Sequence, residues 1–147
     1  HRNFMGYTTQ NTKFLLGLGM SAISDSWFGF AQNEKSTEKY MKIVNQGNIP
    51  IFRGHILNEI DLEIRQYILD LMCHFETDFD TNSKNKDLQF SIIQRLEEMI
   101  KDQLVIIEDN KVIVTHEGIP FVRNCCMAFD QDLVNTSRQE NMFSKTI

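Results

Sequence analysis

A pair of closely spaced glycines near the start of the chain is the first feature that suggests ligand chemistry. The segment Gly17-Leu18-Gly19-Met20-Ser21-Ala22 matches the Gly-x-Gly-x-x-Ala pattern of dinucleotide-binding loops. That pattern binds a pyrophosphate only between a strand and a helix, and the residues that follow, Ser24-Asp25-Ser26-Trp27, do not favour a helix. Two interpretations stay open: the glycines allow close packing of a buried strand, or they let the backbone approach a bound ligand.

Arg53 is the second residue whose type and setting suggest a chemical role. It lies among apolar residues in Ile51-Phe52-Arg53-Gly54. A guanidinium group binds a carboxylate through two parallel hydrogen bonds. The sequence allows either a salt bridge between domains or a contact with a ligand carboxylate.

The cysteines and histidines predict neither a disulfide nor a metal site. The chain has three cysteines, an odd number, and Cys125 and Cys126 are adjacent, which is a poor disulfide framework. Neighbouring side chains on a helix diverge by roughly 100°, so we expect this pair to be buried thiols and not cluster ligands. The four histidines are scattered without metal-ligand spacing.

The elements that must position Gly17 and Arg53 occupy the first third of the chain. Residues 14–23 are apolar without alternation, which predicts a strand buried on both faces of a larger sheet, followed by a loop over residues 24–33. Ser36 or Thr37 begins a predicted helix over residues 36–46, and residues 47–50 form a turn. We therefore predict that residues 1–48 are the end of a sheet whose other strands lie in a preceding part of a longer protein.

Residues 49–130 contain two long helices, a hairpin and a further helix. Apolar residues at helical spacing predict helices over residues 59–75 and 88–101, with Asn58 as the first N-cap. Two β-rich runs around Asp109 and Asn110 predict a hairpin, and residues 115–129 a helix with Pro120 in its first turn. Residues 77–87 are expected to be a loop and residues 131–147 a polar tail. This order resembles a winged-helix module, which indicates a fold and not a function.

The charge of the chain disfavours nucleic acid as a partner. Its net charge is −5, whereas a nucleic-acid binder presents a basic surface. The outward residues predicted for the second long helix carry three acidic and two basic groups: Gln94, Arg95, Glu97, Glu98, Lys101 and Asp102. A DNA-binding winged-helix regulator is therefore the less favoured alternative. No apolar run of about 18 residues predicts a membrane span, and we expect a cytoplasmic protein.

Short strings along nearly the whole chain match one known family. They are Asn3-Phe4-Met5-Gly6-Tyr7-Thr8-Thr9, Leu16-Gly17-Leu18-Gly19-Met20-Ser21-Ala22-Ile23-Ser24, Gln46-Gly47-Asn48, Arg53-Gly54 and Arg123-Asn124-x-Cys126-Met127-x-Phe129-Asp130. The chain thereby resembles the oxygen-independent coproporphyrinogen III oxidases, which are radical S-adenosylmethionine enzymes. The first string is absent from the related haem-chaperone branch, which favours the oxidases.

The resemblance implies an oxidoreductase of haem biosynthesis that decarboxylates two propionates of coproporphyrinogen III to vinyl groups, giving protoporphyrinogen IX. Its cofactors are S-adenosyl-L-methionine and a 4Fe-4S cluster. The cluster is bound by a Cys-x-x-x-Cys-x-Cys motif, and this chain does not contain that motif. The implied fold class is α/β or α+β: the terminal edge of a partial β/α barrel, followed by a mainly helical winged-helix-like domain over residues 49–130. This chain would be the C-terminal part, inactive alone and capping the substrate pocket.

The resemblance also implies which residues meet the cofactor. Ser21, Ala22 and Ile23 lie where the family's barrel strand contacts S-adenosylmethionine, and Phe4 and Met5 lie beside a second cofactor molecule. Met5 stands where the family often has glutamine, and a thioether donates no hydrogen bond and accepts one only weakly.

Further partners follow from the same resemblance. Arg53, which was singled out above by its residue type and apolar setting and not by a family role, is the candidate for binding the substrate. The preceding catalytic domain is the expected partner of residues 1–48, and we expect the apolar edge around residues 14–30 to allow self-association without it. A haem- or porphyrin-binding relative without oxidase activity is a further alternative, and retained haem would favour it.

Overall fold

The computed structural model describes residues 1–3, 6–79 and 85–130. It divides the chain into two compact units, His1–Leu62 and the part that starts at Glu63. The predicted boundary after residue 48 does not coincide with this division. The strand Ile51–Ile56 pairs with Gly29–Asn33, so the sheet of the first unit continues past the turn at residues 47–50.

Where the structure describes it, the first unit contains five short strands, one complete helix and the start of a second. In chain order the strands and the complete helix are β1 (Arg2–Asn3), β2 (Gly6–Tyr7), β3 (Ile23–Asp25), β4 (Gly29–Asn33), α1 (Thr37–Asn45) and β5 (Ile51–Ile56). β1 pairs with β2, and β3, β4 and β5 form an antiparallel sheet in that order. α1 confirms the predicted helix: Ser36 is its N-cap, and Ser36 Oγ accepts a hydrogen bond from the Lys39 N–H at 3.4 Å.

The predicted buried strand over residues 14–23 is wrong. Only Ile23 of that range lies in a strand, and Leu16 and Leu18 are 62% and 82% exposed. Gly19 and Ser21 have positive φ angles of 98° and 60°, which turn the backbone away from an extended path. The predicted loop over residues 24–33 is also wrong in part, because residues 24–25 end β3 and residues 29–33 form β4.

The described residues of the second unit form most of one helix, two further helices and three strands. The elements are α2 (Glu59–His74), β6 (Glu76–Asp78), α3 (Lys86–Lys101), β7 (Val105–Glu108), β8 (Lys111–Val114), a 3-10 turn (Ile119–Phe121) and α4 (Val122–Met127). α2 begins within the first unit, and its first turn is closed by a reciprocal pair of hydrogen bonds. The Asp61 N–H donates to Asn58 Oδ1, and the Asn58 N–H donates to Asp61 Oδ2, both at 3.0 Å.

Three predictions for this unit are confirmed and two need correction. α2, α3 and the β7–β8 hairpin lie where they were expected, and Asp109 and Asn110 have the positive φ angles of a tight hairpin turn. The predicted loop over 77–87 begins with part of β6, which pairs with β8 because the β-branched Thr77 is buried opposite Val112. The predicted helix over 115–129 is shorter, because Thr115 Oγ1 accepts the Gly118 N–H in a turn before the helix starts.

The hydrophobic core of the described residues lies in the second unit. Its fully buried side chains are Leu71, Ile92, Leu96, Val105, Val112, Cys125 and Phe129. Rings of Tyr67, Phe79 and Phe129 pack together with centroids 5.5 to 6.3 Å apart. Cys125 and Cys126 are buried as predicted, and burial raises the pKa of the Cys125 thiol.

Candidate functional site

The loop of residues 17–22 is attached to β4 by the side chain and the backbone of one buried asparagine. Asn33 Nδ2 donates hydrogen bonds to the carbonyl oxygens of Gly17 at 3.0 Å and Gly19 at 2.8 Å. The Asn33 backbone N–H donates to the Ala22 carbonyl oxygen at 2.9 Å. Since Asn33 is only 7% exposed, these bonds hold the loop in one conformation.

Gly17 permits a close approach between this loop and β3. A Cβ atom on Gly17 would lie 2.6 Å from the carbonyl oxygen of Ile23, which leaves no room for a side chain. The Gly17 N–H donates to Ser24 Oγ at 3.0 Å. Close backbone packing therefore explains this glycine, although it joins a loop to a strand and does not lie within a buried strand.

Ser21 and Arg53 are connected through the side chain of Gln32. Gln32 Nε2 donates to the carbonyl oxygen of Ser21 at 3.1 Å, and Gln32 Oε1 accepts a hydrogen bond from Arg53 Nε at 2.9 Å. The Ser21 N–H donates to the carbonyl oxygen of Glu34 at 2.9 Å. Both backbone groups of Ser21 are therefore bonded, and Arg53 is held near the same loop.

Ile23, Gln32 and Arg53 form a row across one face of the sheet. In the strand register, Ile23 lies opposite Gln32, and Gln32 lies opposite Arg53. Residues directly opposite each other in antiparallel strands point to the same face. An apolar, an amide and a cationic side chain therefore share this face.

Glu34 follows the last residue of β4 and precedes the N-cap of α1. Glu34 Oε1 accepts the N–H groups of Ser36 at 3.2 Å and Lys35 at 2.8 Å. These two hydrogen bonds favour the carboxylate and lower the pKa of Glu34. The charge lies just before the N-terminus of α1, where the helix dipole favours an anion.

The structure brings together four of the six residues that the sequence suggested. Ser21, Ala22, Ile23 and Arg53 lie in one hydrogen-bonded part of the first unit. Phe4 and Met5 lie outside the described residues. Sequence reasoning missed Gln32 and Asn33, because a glutamine and an asparagine in a loop-like stretch carry no signal of the strand register that gives them these partners.

The described residues lack the features of two other classes of site. No group of three or more His, Cys, Asp or Glu side chains there is arranged to bind a metal ion. No helix in that part of the chain has the length and apolar character needed to cross a bilayer.

The exposed charge of α3 also bears on nucleic-acid binding. Arg95 was expected to face outward, yet its side chain is half-buried and donates to Ser91 Oγ at 3.3 Å. Lys101 Nζ lies 2.9 Å from Glu97 Oε1, and the pKa of Lys101 is raised by Glu97 first and also by the charge of Glu98, so this single cation faces two carboxylates. The exposed face of α3 is therefore more acidic than the sequence predicted, which is unfavourable for phosphate contacts.

Curated proteins provide a direct comparison along the whole chain. The chain is 38% identical over 152 aligned residues to the oxygen-independent coproporphyrinogen III oxidase of Salmonella typhimurium, and the alignment covers 100% of this chain and 33% of that protein. The enzymes of the same name from Escherichia coli and Pseudomonas aeruginosa are 37% and 34% identical, over 33% and 32% of their lengths. No family model matches the chain.

A solved structure agrees with these relatives. The fold is similar to the Escherichia coli coproporphyrinogen III oxidase, which is described as a radical SAM enzyme, with a TM-score of 0.83 and 35% identity over 90% of this chain. The fold class is therefore mixed α/β, similar to a portion of that solved enzyme. The particular resemblance predicted from the sequence, to the oxygen-independent coproporphyrinogen III oxidases, is confirmed. The chain spans about a third of the length of the curated relatives it matches.

Proposed function

We propose that this chain is the C-terminal part of an oxygen-independent coproporphyrinogen III oxidase. The full-length protein would oxidatively decarboxylate two propionate side chains of coproporphyrinogen III to vinyl groups, giving protoporphyrinogen IX. The observation that carries the proposal is the similarity over the whole chain to several enzymes of that name. The three relatives compared above and a fourth from Synechocystis are 33% to 38% identical to this chain.

Within this function, Ser21, Ala22 and Ile23 would contact S-adenosylmethionine. The segment suits an adenosine group because its backbone is held by hydrogen bonds from Gln32 and Asn33, while Ile23 adds a half-buried apolar side chain. The bound cofactor supplies the radical chemistry, and the protein supplies position and shelter from water. The 4Fe-4S cluster would be held by the rest of the full-length protein. The contacts of Phe4 and Met5 with a second cofactor molecule stay a prediction.

Arg53 would bind a carboxylate of the substrate. Its Nε is used by Gln32, and within the described residues its two terminal nitrogens have no protein partner. A guanidinium whose two terminal nitrogens are not bonded to the protein can bind a propionate with two parallel hydrogen bonds. The coproporphyrinogen molecule carries several propionates, so a cation at this position suits its chemistry.

The apolar surface of the first unit would be covered by the preceding part of the full-length protein. Its exposed large apolar side chains are Tyr7, Phe14, Leu16, Leu18, Met20, Phe28, Met41, Val44, Ile49, Ile51, Phe52 and Ile56. Such a set on one small unit indicates an interface, and about two thirds of the length of the matched relatives lies outside the part that aligns with this chain. Without that chain we expect the same surface to drive self-association.

The second unit would form a winged-helix-like cap over the substrate pocket. The order helix, strand, helix and two-stranded hairpin around the sheet β6–β8–β7 supports that assignment. A cytoplasmic location stays a prediction.

Anaerobic turnover by the full-length protein, with its cluster reconstituted, tests the proposal. We expect the protein to convert coproporphyrinogen III to protoporphyrinogen IX, and this conversion should require S-adenosylmethionine. The products are oxidised to porphyrins and measured by chromatography. A protein that instead retains haem, seen as a Soret band, and converts no substrate would be the non-catalytic porphyrin-binding relative.

A pair of isoleucine variants tests the assignment of the cofactor segment. Ile23→Ala should weaken S-adenosylmethionine binding about tenfold, because the contact of a large aliphatic side chain is lost. Ile106→Ala, on β7 in the second unit, removes the same group from a surface strand and should leave that affinity unchanged. Equal affinities for the two variants, measured by equilibrium dialysis, would remove Ile23 from the site.

A further inference from the structure

We propose that Gln32 is a positioning residue that joins the cofactor segment to the substrate-binding arginine. Its amide connects the carbonyl oxygen of Ser21 to Arg53 Nε, through hydrogen bonds of 3.1 and 2.9 Å. This inference rests on the proposed function, since it requires Ser21 to lie beside the cofactor and Arg53 beside the substrate.

The two partners of Gln32 require an amide at this position. The Ser21 carbonyl oxygen only accepts hydrogen bonds, and Arg53 Nε only donates one. A single side chain that bonds to both must donate at one end and accept at the other. Glutamine does this without a charge, so the positive charge of Arg53 stays available for a ligand.

The sheet register explains why the connection is short and defined. Gln32 on the central strand β4 lies opposite Arg53 on β5 and opposite Ile23 on β3. The register of β4 and β5 shifts between Gln32 and Asn33, where the next pair is Asn33 and Ile51. Asn33 therefore departs from the regular pairing and binds the Gly17 and Gly19 carbonyl oxygens, while Gln32 stays in the row with Arg53.

The connection has a consequence for the reaction. A substrate propionate held by Arg53 and a cofactor held by the Ser21 segment would keep a constant separation, because Gln32 joins both. Reactions between two bound molecules depend strongly on such separation. Loss of the connection should therefore affect substrate binding and cofactor binding together, although Gln32 touches neither ligand.

Two substitutions in the full-length protein separate the two hydrogen bonds. Gln32→Glu keeps an acceptor for Arg53 and adds a charge that pairs with it, but it loses the donor to Ser21. Gln32→Leu loses both bonds and leaves Arg53 with its charge unpaired. We expect both variants to weaken S-adenosylmethionine binding similarly, by about fivefold, because each loses the same hydrogen bond to Ser21.

The two variants should differ in their affinity for the porphyrin. With coproporphyrin III as a fluorescent probe that does not turn over, Gln32→Glu should weaken binding by about tenfold to a hundredfold, because its carboxylate competes with the propionate for Arg53. Gln32→Leu should weaken it by only about threefold, as Arg53 loses orientation and keeps its charge. A residue with a merely structural role would lower both affinities alike in the two variants.

Matched variants complete the experiment. Gln94→Glu makes the same chemical change at an exposed position of α3 and should match the parent in both affinities. In an Arg53→Gln background, the further change Gln32→Glu should no longer affect probe affinity, because the coupled partner is gone. Melting temperatures of all variants check the fold, and Gln32→Glu, nearly the same size as the native residue, is the variant least prone to unfold.

The results that would overturn the inference are specific. If Arg53→Gln weakens probe binding and neither Gln32 variant differs from Gln94→Glu, the coupling is wrong and the proposed function stands. If Arg53→Gln itself leaves probe binding unchanged, the substrate role of Arg53 fails, and the coupling fails with it. Equal losses of probe affinity in Gln32→Glu and Gln32→Leu would reduce Gln32 to a structural residue.

Discussion

The two units of the chain are stabilised in different ways. Among the residues of the second unit that the structure describes, every fully buried large side chain is apolar, and the rings of Tyr67, Phe79 and Phe129 pack together. In the described residues of the first unit, the only buried side chains are polar, Asp25 and Asn33. One unit therefore depends on a core, and the other on hydrogen bonds between a loop and a small sheet.

This difference has a physical reason and a functional one. Burial of a large apolar side chain stabilises a fold by about 1.5–3 kcal/mol, whereas a typical hydrogen bond adds a net of only about 1 kcal/mol. A unit without a core is stable only when something else covers its apolar surface, which fits an edge that packs against more protein. Its polar connections suit a different task, the positioning of ligand-binding groups.

The largest effect is expected from removal of a core ring. Phe129→Ala should lower the free energy of unfolding by about 3–5 kcal/mol, because it leaves a cavity beside Tyr67 and Phe79. Phe28→Ala, at a position that is 64% exposed in the first unit, should change it by less than about 0.5 kcal/mol. Urea unfolding of this chain measures both values. Similar losses for the two phenylalanines would show that the first unit has a core of its own.

A smaller and local effect is expected from the buried amide of the first unit. Asn33→Leu keeps the approximate size of the side chain but leaves the Gly17 and Gly19 carbonyl oxygens without their donors. We expect the free energy of local opening to fall by about 1–3 kcal/mol, seen as faster amide exchange at Ser21 and unchanged exchange at Val105. Asn11→Leu, at an exposed position, is the matched control. If the substitution instead accelerated amide exchange at Val105 more than at Ser21, the expected local effect on the first unit would be wrong.

The smallest effect is expected from surface charge in the second unit. Lys111 Nζ lies 3.0 Å from Glu76 Oε1 and 3.9 Å from Asp78 Oδ1. The hydrogen bond to Glu76, with the charge of Asp78, raises the pKa of Lys111. Because the pKa of Lys111 is raised in the folded state, its charge stabilises the fold. This stabilisation is fully present below the ordinary lysine pKa of about 10.4 and is lost as the pH rises through the folded-state pKa.

The pair can be tested by comparing two pH values at low salt. Lys111→Met should lower the urea midpoint slightly at pH 7, and the two proteins should converge only as the pH rises past the ordinary lysine pKa of about 10.4 and through the higher folded-state value. Lys42→Met, at an exposed position of α1, is the control. A difference that stays constant between the two pH values would show that Lys111 acts through its alkyl chain and not its charge.

Local patterns were sufficient to predict much of the second unit. Apolar spacing located α2 and α3, and Asn58 before an acidic first turn located the start of α2. Asp109 and Asn110 located the hairpin turn, because both residues tolerate positive φ. The same patterns failed for β6, a strand of three residues that is too short to show an alternating pattern.

The candidate site could be predicted only in part. The family strings identified Ser21, Ala22, Ile23 and Arg53, and these residues do lie together in the structure. The same strings gave no reason to choose Gln32 or Asn33. The apolar run before Ile23 was misleading, because hydrophobicity alone does not distinguish a buried strand from a loop whose apolar side chains are exposed.

The sequence by itself determined the elements whose stability comes from neighbours along the chain: two amphipathic helices, a capped helix start and a tight turn. Tertiary structure alone decided that Gln32 lies between Ser21 and Arg53, and that Asn33 reaches the Gly17 and Gly19 carbonyl oxygens. Those contacts depend on the register of strands far apart in the chain, and a shift of one residue would turn each side chain to the opposite face of the sheet.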